Sequence, residues 1–171
     1  MADQARRNCL RMLAAWAGMA AVPSWFAVGF LTAAENPVLM KTDRCPVCGM
    51  FVYKYAKWVA RIVFRDGSAY FYDGAKDMFK HTFNVPKYTP GKSAEAIVDM
   101  HVTDYYDVEL VPARSAFYVI GSDVLGPMGH ELLPLKDQHL AEEFLRDHRG
   151  QSILRFQDVT EDVIGSLDRR S

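Results

Sequence analysis

Residues 58–83 read WVARIVFRDGSAYFYDGAKDMFKHTF, and this run carries the argument for the fold. Trp58, Ala60, Ile62 and Phe64 alternate with Val59, Arg61, Val63 and Arg65, the period-two pattern of a strand with one buried face. Asp66-Gly67 is a tight-turn signal, and Ser68 to Tyr72 supplies an aromatic-rich returning strand. Asp73 then stands where a helix N-cap is expected. Ala75, Met78, Phe79, Thr82 and Phe83 follow at helical spacing, and Pro86 and Pro90 prevent continuation. The run predicts strand, strand, helix.

Working outward, a polar linker from Tyr88 to Ser93 leads to Glu95–Val102, where Ala96, Val98, Met100 and Val102 alternate as in a further strand. The second half repeats the order more loosely. Ala116 to Ile120 and Leu132 to Leu135 read as strands. Asp137 caps a helix that gathers Leu140, Ala141, Phe144, Leu145 and His148 on one face, Gly150 ends it, and Ile153 to Phe156 returns as a strand. The two helices begin about 65 residues apart, a spacing compatible with a duplicated small unit. A unit of that size buries too little surface to stand alone, so the copies are expected to pack together. The fold class predicted is α+β, with two similar small ββαβ-type units spanning residues 35–92 and 93–165 and a short tail at 166–171.

The chain has 171 residues, 50% hydrophobic and 24% charged, with a net charge of −1. This excludes a disordered tail and a polytopic membrane protein, and leaves no basic excess with which to bind nucleic acid. Residues 12–34 carry no charge, follow Arg6, Arg7 and Arg11, and end on Thr32-Ala33-Ala34, the anatomy of an export signal. The pair Arg6-Arg7 loosely resembles a twin-arginine signal. The stretch is also long enough for a membrane anchor, a reading that Pro23 weakens. Either way residues 1–34 are set apart, and the remainder is expected in the periplasm, free or held at the cytoplasmic membrane. No cysteine follows the apolar stretch where a lipoprotein attachment site needs one, and Cys9 precedes it.

Chemistry concentrates in Cys45-Pro46-Val47-Cys48-Gly49-Met50, three soft sulfur donors within six residues. Gly49 permits the backbone to fold back so that donors on either side converge. Thiolate with thioether suits a soft ion of low coordination number, Cu(I). Three other readings stay open. A cysteine pair is often half of a zinc site, which here would need histidines, since no second pair exists. It also serves as a thiol–disulfide redox pair, although such a motif opens a helix and a strand is expected after this one. In an exported protein it can close as an inert disulfide, with Met50 a core residue.

A second candidate is the loop Gly126-Pro127-Met128-Gly129-His130-Glu131, whose glycines would present Met128 and His130 as ligands. Met100 and His101 are strand neighbours on opposite faces. His81, His139 and His148 fall on amphipathic helices and read as solvated or satisfied side chains.

The run from Cys45 to Val52 resembles the NosL family, accessory lipoproteins of nitrous oxide reductase maturation. The resemblance continues through Trp58-Val59-Ala60, Asp66-Gly67, Phe71 to Phe79 and Val102-Thr103-Asp104-Tyr105. It reaches Ala116 to Val124 and Gly126-Pro127-Met128-Gly129-His130-Glu131-Leu132, about residues 43–157 in all. It implies a periplasmic Cu(I) metallochaperone of two ββαβ-type units, similar in fold to part of organomercurial lyase. The implied partners are the proteins that assemble the copper–sulfide centre of nitrous oxide reductase. Carried across by position, Cys48 and Met50 are the first ligands, with Cys45 beside them and Met128 and His130 as completions. Binding and transfer of the ion, not catalysis, is the implied role. The competing class is an exported thiol–disulfide oxidoreductase using Cys45 and Cys48.

Overall fold

The structure, a computed structural model, describes residues 37–169. The leader or anchor expected over residues 1–34 lies outside them. Among the described residues no helix is long and apolar enough to cross a membrane.

After residues 37–44 come the Cys45–Met50 loop and a 3-10 segment, Val52–Trp58, where a strand was expected directly after the cysteines. The chain continues through β1 (Ala60–Phe64), β2 (Ala69–Tyr72), α1 (Ala75–Phe83) and the short α2 (Val85–Tyr88). β3 (Ile97–Thr103), β4 (Leu110–Pro112) and β5 (Phe117–Ile120) follow, then the small hairpin β6 (Leu125–Gly126) and β7 (Gly129–His130). The chain ends with β8 (Leu133–Leu135), α3 (Gln138–Asp147), β9 (Ser152–Arg155) and α4 (Glu161–Asp168). The class is α+β, as the sequence predicts.

Two antiparallel sheets organise these elements, one in the order β2-β1-β3-β4 and the other β8-β5-β9. In the first, Ala60 pairs with Tyr72 on one side and Val102 on the other. In the second, Phe117 pairs with Leu135 and Arg155. In each sheet the earliest strand is central, the next strand flanks it, and the strand after the helix takes the other side. The sheet begun within residues 35–92 thus draws β3 and β4 from the 93–165 stretch, because β3 finds its ladder partner in β1.

Ile62 and Phe64 turn into the core as their alternation predicts. Arg61, expected outward, is buried as well. Its guanidinium donates to the Pro37 carbonyl at 3.4 Å and meets His101 Nδ1 at 3.2 Å, so the other face of β1 is covered too. One continuous core joins Ile62, Phe64, Met78 and Phe79 to Tyr118, Leu132, Ile164 and Leu167. His81 is a satisfied core residue between Tyr72 Oη at 2.6 Å and Thr89 Oγ1 at 2.9 Å.

Helix α1 corrects one expectation. Its N-cap is Gly74, in extended backbone and with no side chain to offer, while Asp73 lies one residue earlier and does not cap the helix. The Asp73 carboxyl is engaged elsewhere. Helix α3 behaves as expected: Asp137 Oδ1 accepts from Leu140 N at 2.9 Å.

Candidate metal centre

The Cys45–Met50 loop is closed by its own backbone. Gly49 N donates to the Cys45 carbonyl at 2.8 Å, and Cys45 N donates to the Met50 carbonyl at 2.9 Å. The fold-back requires a left-handed residue, and Gly49 supplies it with φ +79°. Arg44 fastens the turn from outside, donating to the Gly49 carbonyl at 2.9 Å while its guanidinium lies 3.7 Å over the Phe51 ring. The two thiols therefore hang from a rigid loop against the core.

Opposite them stands the start of α1. Asp77 lies in the first turn of α1 and Asp73 just before its Gly74 cap, and both carboxyls meet the thiols. Cys45 Sγ donates to Asp77 Oδ2 at 3.3 Å, and Cys48 Sγ donates to Asp73 Oδ1 at 3.2 Å. The four potential ligand atoms all lie within 4.8 Å of one another. Cys45, Asp73 and Asp77 are buried, whereas Cys48 is half-buried. The cluster consequently has a closed floor and an accessible side at Cys48.

Two of its oxygens lack hydrogen-bond donors. Asp73 Oδ2 and Asp77 Oδ1 are buried without a hydrogen-bond partner, though Lys80 Nζ stands 3.4 Å from the latter. Buried carboxyl oxygens are rarely left so, because desolvation without a compensating bond costs about 1–3 kcal/mol. A cation among the four groups would restore what burial removes. The donors present fit a metal ion.

Electrostatics favour the protonated form of both thiols. Burial pushes the Cys45 thiol far above its ordinary range, and the neighbouring Asp77 adds to the effect. Cys48 is pushed up to about 12, first by burial and then by its bond to Asp73, against the opposing pull of the Met50 amide. Reactive exchange thiols are displaced the other way.

Of the residues singled out from sequence, Cys45 and Cys48 come together. Met50 closes the same loop and is half-buried, its carbonyl held by Cys45 N. Met128 and His130 lie on the β6–β7 hairpin. The Met128 side chain is exposed, and its carbonyl accepts from Lys76 Nζ at 3.0 Å, so the hairpin is tied to α1. His130 is half-buried and pairs with Leu125 in the hairpin ladder. Sequence reasoning missed Asp73 and Asp77. The available signal was two carboxylates at i and i+4 beside Gly74.

A solved structure shares this fold. The fold resembles the crystal structure of the copper chaperone NosL from Shewanella denitrificans, with 20% identity and a TM-score of 0.63 over 75% of this chain and 98% of that one. A solution NMR structure of apo-NosL from Achromobacter cycloclastes matches with 24% identity and a TM-score of 0.44, covering 61% of this chain and 87% of the other. No protein with a curated description matches the sequence. The sequence model of the NosL family matches residues 37–164, a span that takes in the cysteine loop, both sheets and the hairpin. On that match, the chain belongs to the NosL family.

Proposed function

We propose that this protein is a periplasmic carrier of Cu(I) that supplies the assembly of the copper–sulfide centre of nitrous oxide reductase. The observation that carries the metal-binding part is the buried cluster of two thiols and two carboxyls, with Asp73 Oδ2 unpartnered. Family membership, and the copper chaperone that shares the fold, support copper as the ion. Donor chemistry supports the cuprous state, since thiolates with a thioether favour a soft monovalent ion over zinc.

In this reading Cu(I) displaces the thiol protons and sits on Cys48 and Cys45, with the Met50 thioether as the further soft donor. Met128 and His130 are the candidates to complete or relay the coordination. The thiol protons pass to solvent, and Asp73 and Asp77 give up the thiol hydrogen bonds that they accept in the metal-free protein. Because Cys48 lies at the accessible side, a partner's sulfur or imidazole can join the ion before the last carrier ligand leaves. Copper then moves by ligand exchange, and no bond of an organic substrate is made or broken. A thiol oxidoreductase would need an activated thiolate, and burial here raises both thiols instead.

Anaerobic titration of the reduced protein against a chromogenic Cu(I) chelator tests the proposal. About one Cu(I) per chain is expected, with Met50→Leu weakening retention and Cys48→Ser removing most of it. Equal retention in wild type and Met50→Leu would exclude the thioether. A wild-type protein that prefers Zn(II) to Cu(I) would overturn the carrier role.

A further inference from the structure

Helix α1 brings both carboxyls to the metal centre, yet its own N-terminus has no local cap. Gly74 offers no side chain, and Asp73 is committed to Cys48. The missing acceptor arrives from another part of the chain. Glu131, directly after the β6–β7 hairpin, is buried, and its Oε1 accepts from Lys76 N at 2.6 Å and from Leu132 N at 2.9 Å. Lys76 answers from the helix, its ammonium donating to the Met128 carbonyl of the hairpin. The contact is a reciprocal clamp between hairpin and helix.

Gly74 belongs to the same device. Its backbone is extended, with φ −175° and ψ 163°, a conformation open to any residue, so conformation does not demand glycine there. Space does: a Cβ on Gly74 would collide with the Glu131 carboxyl, Oε2 first.

We propose that Glu131 is a positioning residue of the metal centre, which caps α1 from the hairpin and so fixes Asp73 and Asp77 against the two thiols. The inference rests on the metal-binding reading above. Glu131 touches neither thiol; it acts through the helix end that carries their partners. A partner bonded directly to a ligand is worth about 10–100-fold in metal affinity, and Glu131, one step further out, is expected at the lower end of that range.

The test compares wild type, Glu131→Ala, Glu131→Gln, Gly74→Ala and the Gly74→Ala/Glu131→Ala pair, all full length. One readout is Cu(I) retention against the chelator. The other is the rate at which iodoacetamide alkylates Cys45 in metal-free protein, followed by mass spectrometry. Glu131→Ala is expected to weaken retention about tenfold and to expose Cys45 to alkylation. Glu131→Gln keeps the Oε1 acceptor and should restore both readouts to within about threefold of wild type, a rescue that loss of general stability would not give. Gly74→Ala should be harmful while Glu131 is present and add little once it is removed. Wild-type retention and alkylation in folded Glu131→Ala would overturn the inference, as would a Glu131→Gln no better than alanine. If Glu131→Ala fails to fold, the Glu131→Gln and Gly74→Ala proteins decide. Should wild type bind no Cu(I), the carrier reading fails, and alkylation alone judges the clamp.

Discussion

Asp73 illustrates how one side chain can be drawn from a structural task to a chemical one. An aspartate just before a helix ordinarily caps it, a contribution of about 1 kcal/mol. Here the cap falls to Gly74, and Asp73 accepts from Cys48. Its effect on that thiol has a definite sign. Burial is the larger cause of the raised Cys48 pKa and persists in any variant, whereas the hydrogen bond and negative charge of Asp73 add to it. Asp73→Asn should therefore lower the thiol pKa from about 12 without returning it to its ordinary 9.0. At pH 8 alkylation of Cys48 by iodoacetamide should then run several-fold faster than in wild type, as the thiolate fraction grows. An unchanged or slower rate would remove Asp73 from the electrostatics of the site. The same raised values govern loading: below pH 9 each thiol bound to copper must release a proton, so retention should strengthen about tenfold per pH unit for each thiol engaged. The cysteines were legible from the sequence because their spacing is local. Their partners were not, because Cys48 meets Asp73 across 25 positions and Cys45 meets Asp77 across 32. The two carboxylates four positions apart beside Gly74 are a local signal, but nothing local marks which cysteine each one meets.

Among the elements, those with a strong period and a turn or cap signal stood out from the residues alone. The β1–β2 hairpin and α3 are the clear cases. Strand β4 has three residues, and β6 and β7 have two each, too few for any period to register. Helix α4 escaped notice although Thr160 caps it, its side chain accepting from Val163 N at 3.3 Å. Helix α1 was legible in extent but not at its start, since its cap comes from Glu131. Its far end makes a distinct prediction. His81 is buried between Tyr72 and Thr89, and burial lowers its pKa to about 4 from an ordinary 6.5. A depressed histidine favours the fold fully above its unfolded pKa, and the contribution is lost as pH falls towards its folded pKa. Between pH 6.5 and about 4 the metal-free protein should thus lose about 2–3 kcal/mol on this account, seen as a falling urea midpoint. His81→Gln should be less stable at pH 7 but show a flatter profile across the same window. A parallel profile in wild type and variant would assign the acid sensitivity to other groups.

At the scale of the molecule, the question is whether the two sheets fold as one body. Their connectivity is alike, and each carries a helix between its second and third sheet-forming strands. The core is nevertheless shared. The Phe79 ring, from the helix of the first sheet, meets Tyr118 of the second at 5.3 Å between centroids and Phe156 after β9 at 5.0 Å. Helix α4 adds a polar tie at the same seam, Asp168 reaching Lys80 at 2.9 Å and Lys76 at 3.3 Å. The face between the sheets is filled from both, while Val119, Leu133 and Leu135 close a second cluster with Ala141 and Phe144 of α3. Small units of this kind bury too little apolar surface alone, and joining them raises the buried fraction. Unfolding of the metal-free protein should then be a single cooperative transition, with the near-ultraviolet signal of the aromatic core and the far-ultraviolet signal of the backbone coinciding. Phe79→Ala removes the ring common to both sides and should cost about 3–5 kcal/mol. It should lower the single transition as a whole, since the cavity weakens both sheets. Were the second sheet to keep its wild-type midpoint while the first melted early, the seam would be a contact between independent bodies. The metal centre would then depend on the stability of α1 and the first sheet alone, and the Glu131 clamp would be expected to open before the protein unfolds.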